Sequence, residues 1–200
     1  MTTDLLVFLT KLISGANARW LACAPERRQR IYFANHTSHL DALVLWAVLP
    51  NEVRAVTRPV GARDYWNAGK LRRYIADQIF HAILIERKKP TVRDNPISQI
   101  LAAMGQDKSI IIFPEGSRQT GDEPAPFKSG LYHLAEKCPE VELVPVLMDN
   151  LNRILPKGEV LAVTLIANVT FGAPMKLLPG ESKGAFLERA RTEVLRLRTA

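Results

Sequence analysis

Short apolar runs at 31–35, 53–57, 82–85, 109–113, 143–148 and 160–170 punctuate this chain. Helix-period segments at 39–49, 64–77, 95–105 and 129–137 lie between several of them, and a last one covers 181–198. Apolar runs bounded by turn residues read as buried strands, and strands alternating with helices argue for an α/β domain on a largely parallel sheet. Two hundred residues suffice for one such domain with a real core. The expected organisation is an N-terminal amphipathic segment, 1–30, followed by a single domain, 31–200, with a mixed, largely parallel sheet flanked by helices. No repeat, low-complexity tract or long linker interrupts it. In such sheets ligands sit beyond the carboxyl ends of the strands. Three polar stretches follow strand-like runs at that end: NHTSHLD (35–41), ERKK (86–89) and PEGSR (114–118).

NHTSHLD packs two histidines, two hydroxyls and a carboxylate between two apolar runs. Inside one helix, His36 and Asp41 would point roughly 140° apart, too far to cooperate. They meet only if His36 stays in the loop and Asp41 opens the next helix. Ser38 is a suitable N-cap, with Asp41 three residues on as in a capping box, which supports that split. A carboxylate on one imidazole nitrogen fixes the tautomer and makes the other nitrogen the better base. The bland alternative is that Asp41 caps the helix while His36 satisfies loop backbone. His39 is a rival base, which an expected helical position would direct elsewhere.

In SIIIFPEGSRQTG (109–121) a buried strand stops at Pro114 and Glu115, Gly116, Ser117 and Arg118 follow at once. Gly116 permits a tight turn, and the N–H groups of Gly116 and Ser117 are candidates for an anion nest or for polarising a carbonyl. Arg118 offers a planar, bidentate phosphate donor. A plain turn with a solvated arginine is the competing reading. Arg87, Lys88 and Lys89 end another strand-like run, and Lys128 precedes a helix start at Ser129. With Arg118, these cations can surround a phosphate monoester. Glu115 fits poorly beside a phosphate, so it is expected to accept hydrogen bonds from the loop or to pair with an arginine.

Composition sets the outer limits. With 47% apolar and 24% charged residues the chain is globular. A net charge of +7 favours anionic partners, lipid headgroups, nucleic acid or an acidic carrier protein, although charge runs are commonly just solvated faces. Cys23 and Cys138 have no metal-ligand spacing and suit a reducing compartment as buried small hydrophobes. No apolar run is long enough to span a bilayer. As a helix, the N-terminus would place Leu5, Leu6, Leu9, Leu12 and Ile13 on one stripe, with Trp20, Arg27, Arg28 and Arg30 beyond. That pattern suits a helix lying in a membrane interface, and equally one docked on the core.

Four blocks in order resemble the glycerolipid acyltransferases typified by 1-acylglycerol-3-phosphate acyltransferase: NHTSHLD, FHAILIERKK, FPEGSR and VPVLM (144–148). The resemblance implies an α/β domain with no covalent acyl-enzyme and no cofactor. His36 would be the general base on the acceptor hydroxyl, oriented by Asp41. Arg87, Glu115, Gly116, Ser117 and Arg118 would build the acceptor's phosphate region, joined by Lys128, and VPVLM would shape an acyl or acceptor pocket. The implied reaction moves a fatty acyl group from an acyl carrier protein or coenzyme A thioester to a lysophospholipid, most naturally 1-acylglycerol 3-phosphate, giving phosphatidic acid. It would occur at the cytoplasmic face of an anionic membrane, with the enzyme peripheral and no nucleic acid involved. No metal is expected, since His36, His39, His81 and His133 do not cluster with cysteines. The chain departs from the pattern in opening the second block with His81 and Ala82 instead of a glycine, and in carrying Glu86 and Ser117 where other residues are more usual. Rival functions are a non-catalytic basic module for anionic membrane or nucleic acid, and a thioesterase whose histidine activates water.

Overall fold

The computed structural model of the protein describes residues 2–86, 95–119, 123–149 and 167–199. In chain order the strands are β1 (Asn17–Trp20), β2 (Arg30–Ala34), β3 (Thr57–Ala62), β4 (Ile83–Ile85), β5 (Ser109–Ile112), β6 (Glu142–Asp149) and β7 (Asn168–Phe171). They form one sheet in the order β1-β7-β6-β2-β5-β3-β4. Every pairing is parallel except β6 with β7. The mixed, largely parallel sheet expected from the alternation of runs is therefore present. Residues 1–30 do not stand apart from it, because β1 pairs with β7 and Trp20 stacks on Phe171 with ring centroids 3.8 Å apart.

The helices are α1 (Thr3–Ser14), α2 (Asp41–Val48), α3 (Asn51–Ala55), α4 (Arg63–Trp66), α5 (Lys70–Tyr74), α6 (Pro96–Met104), α7 (Gly130–Lys137) and α8 (Lys183–Arg196), with a π-helical turn at Ile75–Ile79. The central strands are buried on both faces, which explains their continuous apolar runs. Along β2, Tyr32 and Ala34 pack with Leu6, Leu45 and Phe80 on one side, while Ile31 and Phe33 pack with Met104, Leu131 and Phe186 on the other. One helical layer thus carries α1 and α2, and the other carries α6, α7 and α8.

The apolar run at 53–57 proves to be the end of α3 and only the first residue of β3. β3 itself contains Pro59 and Gly61, residues that weaken any sequence signal for a strand. Pro59 is tolerated because β3 changes partners there: residues 57–59 pair with β5 and residues 60–62 with β4. The expected helix at 64–77 is split into α4, α5 and the π turn. The turn leads into His81, whose φ of 46° is left-handed, the conformation glycine adopts without cost. Most of the run at 160–170 lies outside the described residues. Among those described, no helix is long and apolar enough to cross a membrane.

α1 is docked on the core through Leu6, Val7, Thr10 and Ser14. Its other face exposes Leu5, Phe8, Leu9, Leu12 and Ile13, with Phe8 61% and Leu12 63% accessible. The single stripe expected from the sequence is therefore divided, since Leu6 turns inward.

Candidate active site

NHTSHLD leaves the carboxyl end of β2, and FPEGSR leaves that of the neighbouring β5. Two side chains fix the first loop from below and beside. Asn35 is buried and pairs with both backbone groups of Met148 on β6, its Nδ2 donating to the carbonyl (3.0 Å) and its Oδ1 accepting the N–H (2.8 Å). VPVLM, expected to shape a pocket, is buried strand, and its Met148 is the partner in this clasp. Asp41 is fully buried at the first residue of α2, and its Oδ2 accepts the N–H groups of Thr37 (2.6 Å) and Ser38 (2.9 Å).

The same oxygen lies 2.8 Å from Nδ1 of His36. Because Oδ2 already accepts two backbone N–H groups, it is the acceptor here as well, so Nδ1 carries the ring proton. That leaves Nε2 as the basic nitrogen. The His36 ring also stacks on Phe113, centroids 4.4 Å apart, and its side chain keeps 22% of its accessibility. The split between loop histidine and helical aspartate holds, but the capping box is only half formed. α2 starts at Asp41, and the Ser38 hydroxyl reaches only the Leu40 N–H (3.3 Å). Among the described residues no serine, threonine or cysteine side chain bonds the His36 ring.

Glu115 joins the two loops. One carboxylate oxygen accepts the His36 N–H (2.7 Å) and the other the Ala125 N–H (2.9 Å), and the residue is 3% exposed. Burial pushes its carboxyl above the usual glutamate range, against the pull of those two N–H groups. The Gln119 N–H donates back to the His36 carbonyl (2.9 Å). Glu115 thus accepts loop hydrogen bonds, as its misfit beside phosphate led us to expect. It is not among the side chains that line the cavity beside His36.

A cavity of about 370 Å³ opens beside His36. Gly116, Ser117, Arg118 and Lys128 contribute one cationic wall. Gly116 has φ 72°, and the Lys128 side chain lies across it so closely that a Cβ would stand 2.6 Å from Nζ. The Gly116 N–H is spent on the Phe113 carbonyl (3.0 Å), so of the expected anion nest the Ser117 N–H is the remaining candidate. Val60, Ile85, Ile97, Ile100, Ile112 and Leu134 give the cavity an apolar lining as well. Trp66 closes over Gly61, whose missing side chain makes room for the indole. Arg87, Lys88 and Lys89 lie outside the described residues.

His39 is not helical and not directed elsewhere: it precedes α2 and lines this cavity. Its Nδ1 is 2.8 Å from the Tyr65 hydroxyl. Burial, then the charges of Arg118, Arg72 and His36, hold its imidazolium below the ordinary range. Tyr65, Trp66, Phe113 and Asn35 had no role in the sequence reading. Of these, Asn35, next to His36, and Phe113, which opens FPEGSR, stood within stretches the sequence singled out.

A buried carboxylate thus holds an imidazole beside a cavity lined by cationic and by apolar side chains. The family model for Acyltransferase matches residues 21–149, and the chain belongs to that family. Among its relatives is the mouse (Mus musculus) 1-acyl-sn-glycerol-3-phosphate acyltransferase alpha, 31% identical over 136 residues, covering 68% of this chain and 45% of the relative. The 1-acyl-sn-glycerol-3-phosphate acyltransferase of Haemophilus influenzae is 29% identical, covering 62% of this chain and 51% of that protein. The chain thus spans about half the length of these relatives. The crystal structure of the 1-acyl-sn-glycerophosphate (LPA) acyltransferase PlsC from Thermotoga maritima shares the fold at a TM-score of 0.71 and 18% identity, covering 97% of this chain and 77% of that one.

Proposed function

We propose that the protein transfers a fatty acyl group from a thioester to the free hydroxyl of 1-acylglycerol 3-phosphate, giving phosphatidic acid. The observation that carries this reading is the His36–Asp41 pair beside a cavity lined by Arg118 and Lys128 on one part and by apolar side chains on another. A lysophospholipid has that same polarity, a phosphate at one end and a chain at the other. Membership of the family and the names of the relatives point the same way.

In this mechanism Nε2 of His36 takes the hydroxyl proton as the oxygen attacks the thioester carbonyl. The new C–O bond forms, the tetrahedral intermediate collapses with loss of the C–S bond, and the imidazolium returns its proton to the departing thiolate. Asp41 orients the ring and stabilises its charged form. General-base assistance contributes about 10²–10⁴-fold. Holding both substrates together contributes up to roughly 7–11 kcal/mol, so no nucleophilic side chain is needed. Arg118 and Lys128 hold the phosphate, with Arg87 joining them as the resemblance implies. Val60, Ile85, Ile97, Ile100 and Leu134 receive acyl chain. The donor is an acyl thioester of carrier protein or coenzyme A, both anionic and suited to a chain of net charge +7. The apolar outer face of α1 lies in the interface of an anionic membrane, where the acceptor resides.

The test is product analysis. Purified protein is incubated with labelled acyl-coenzyme A or acyl carrier protein and a panel of 1-acylglycerol 3-phosphate, glycerol 3-phosphate and other lysophospholipids. The reading requires labelled phosphatidic acid from the first acceptor. Free fatty acid formed at the same rate with and without acceptor would make the protein a thioesterase, and no acylated lipid from any acceptor would end the proposal.

A further inference from the structure

His39, Tyr65 and Arg72 form a cluster at the cavity that the mechanism above leaves unused. They come from three places: the turn before α2, α4 and α5. The His39 and Tyr65 rings lie 5.3 Å apart and nearly parallel, joined by the Nδ1–hydroxyl bond of 2.8 Å. The Arg72 guanidinium sits 4.6 Å from the Tyr65 ring centroid. His39 and Tyr65 line the cavity, as does Arg118. Arg72 does not itself line the cavity but lies on the ring of Tyr65, which does, and it and Arg118 both act electrostatically on the His39 imidazole.

The neighbouring Arg73 is paired with Asp77 (3.4 Å), whereas among the described residues Arg72 has no carboxylate within ion-pair distance. A guanidinium laid on an aromatic ring is held in place while its N–H edges stay available for a ligand. Two guanidinium groups that act on one imidazole carry like charge, and an anion bound between them would be attracted by both.

We propose that Arg72, seated on the Tyr65 ring, is a further phosphate-binding side chain of this cavity, acting from the α4–α5 side where Arg118 and Lys128 act from the other. The assignment rests on the acyl-transfer reading for the identity of its ligand. Phosphate ester is the shared chemistry, and it has two sources: the monoester of the lysolipid acceptor and the phosphates on the donor's pantetheine arm.

Binding separates these sources without needing turnover. In a His36→Ala background, the affinities of 1-oleoylglycerol 3-phosphate and oleoyl-coenzyme A are compared with those of their phosphate-free counterparts, 1-oleoylglycerol and oleoyl-N-acetylcysteamine. Arg72→Gln is expected to weaken one phosphate-bearing probe at least tenfold and to leave both phosphate-free probes within twofold. Loss confined to the lysolipid assigns Arg72 to the acceptor, and loss confined to the coenzyme A ester assigns it to the donor. Tyr65→Phe keeps the ring and is expected to bind normally, while Tyr65→Leu, which removes the seat, falls between. Equal weakening of phosphate-bearing and phosphate-free probes would reduce Arg72 to structural cover. Unchanged affinity for both phosphate-bearing probes, their failure to bind the parent included, overturns the assignment. If phosphate binding depends on Arg72 but the wild type makes no acylated lipid, the acyl-transfer reading falls and the phosphate site stands.

Discussion

Asp41 and Glu115 are two buried carboxyl groups within one site, and their surroundings give them different work. Asp41 directs a single oxygen at three donors, two of them backbone N–H groups and the third the His36 ring. An asparagine keeps an acceptor oxygen but loses the charge that stabilises an imidazolium. Asp41→Asn is therefore expected to lower kcat about 10²–10⁴-fold with a far smaller change in KM, read from initial rates across acceptor concentrations. Glu115 spends both oxygens on the backbone of two loops. Glu115→Gln turns one acceptor into a donor facing an N–H, which costs about 1–3 kcal/mol of stability. Its pH dependence has a definite sign. Burial raises the Glu115 carboxyl in the folded protein, so the folded state holds that proton more tightly than the unfolded chain. This contribution to stability is complete below the unfolded pKa and is lost as pH rises through the folded one. Urea unfolding should show a larger gap between wild type and Glu115→Gln at pH 4 than at pH 8; a gap that grows with pH would contradict the burial argument.

Among the elements, the strands were legible where both faces are covered and illegible where they are not. β2, β5 and β6 carry uninterrupted apolar residues because helices pack on both sides. β1 is a half-exposed strand, Asn-Ala-Arg-Trp, with only the small Ala18 apolar before Trp20. β3 was displaced in the sequence reading because Val53 and Val56 look strand-like, while Pro59 and Gly61 do not. Helical geometry showed that His36 and Asp41 meet only in a loop-then-helix placement, and Ser38 pointed to that split. The ring contact with Phe113, the Asn35 clasp and the position of His39 did not, because each depends on which strands become neighbours. The π turn explains a departure in the second block. The backbone at residue 81 is left-handed, so glycine belongs there and histidine is strained. His81→Gly should raise stability by about 0.5–1 kcal/mol, measured as a higher Tm, after the added freedom of the unfolded chain is counted. A lower Tm would mean that the imidazole makes a contact outweighing the strain.

Over the whole molecule, the sheet brings two loops together at the ends of β2 and β5, and α1 presents an apolar face to the outside. If that face lies in a membrane interface, Phe8→Glu combined with Leu12→Glu should abolish sedimentation with anionic vesicles while leaving Tm within a few degrees, since both side chains are exposed. Vesicle binding that survives this double change would remove α1 from the account. The most direct test concerns the paired imidazole and carboxylate. Wild type and His36→Ala are compared for labelled phosphatidic acid formed from acyl thioester and 1-acylglycerol 3-phosphate, at matched folding by circular dichroism. The expected result is product from the wild type and a loss of at least 10²-fold in the variant. Equal rates in the two proteins would contradict the assignment of His36 as the base.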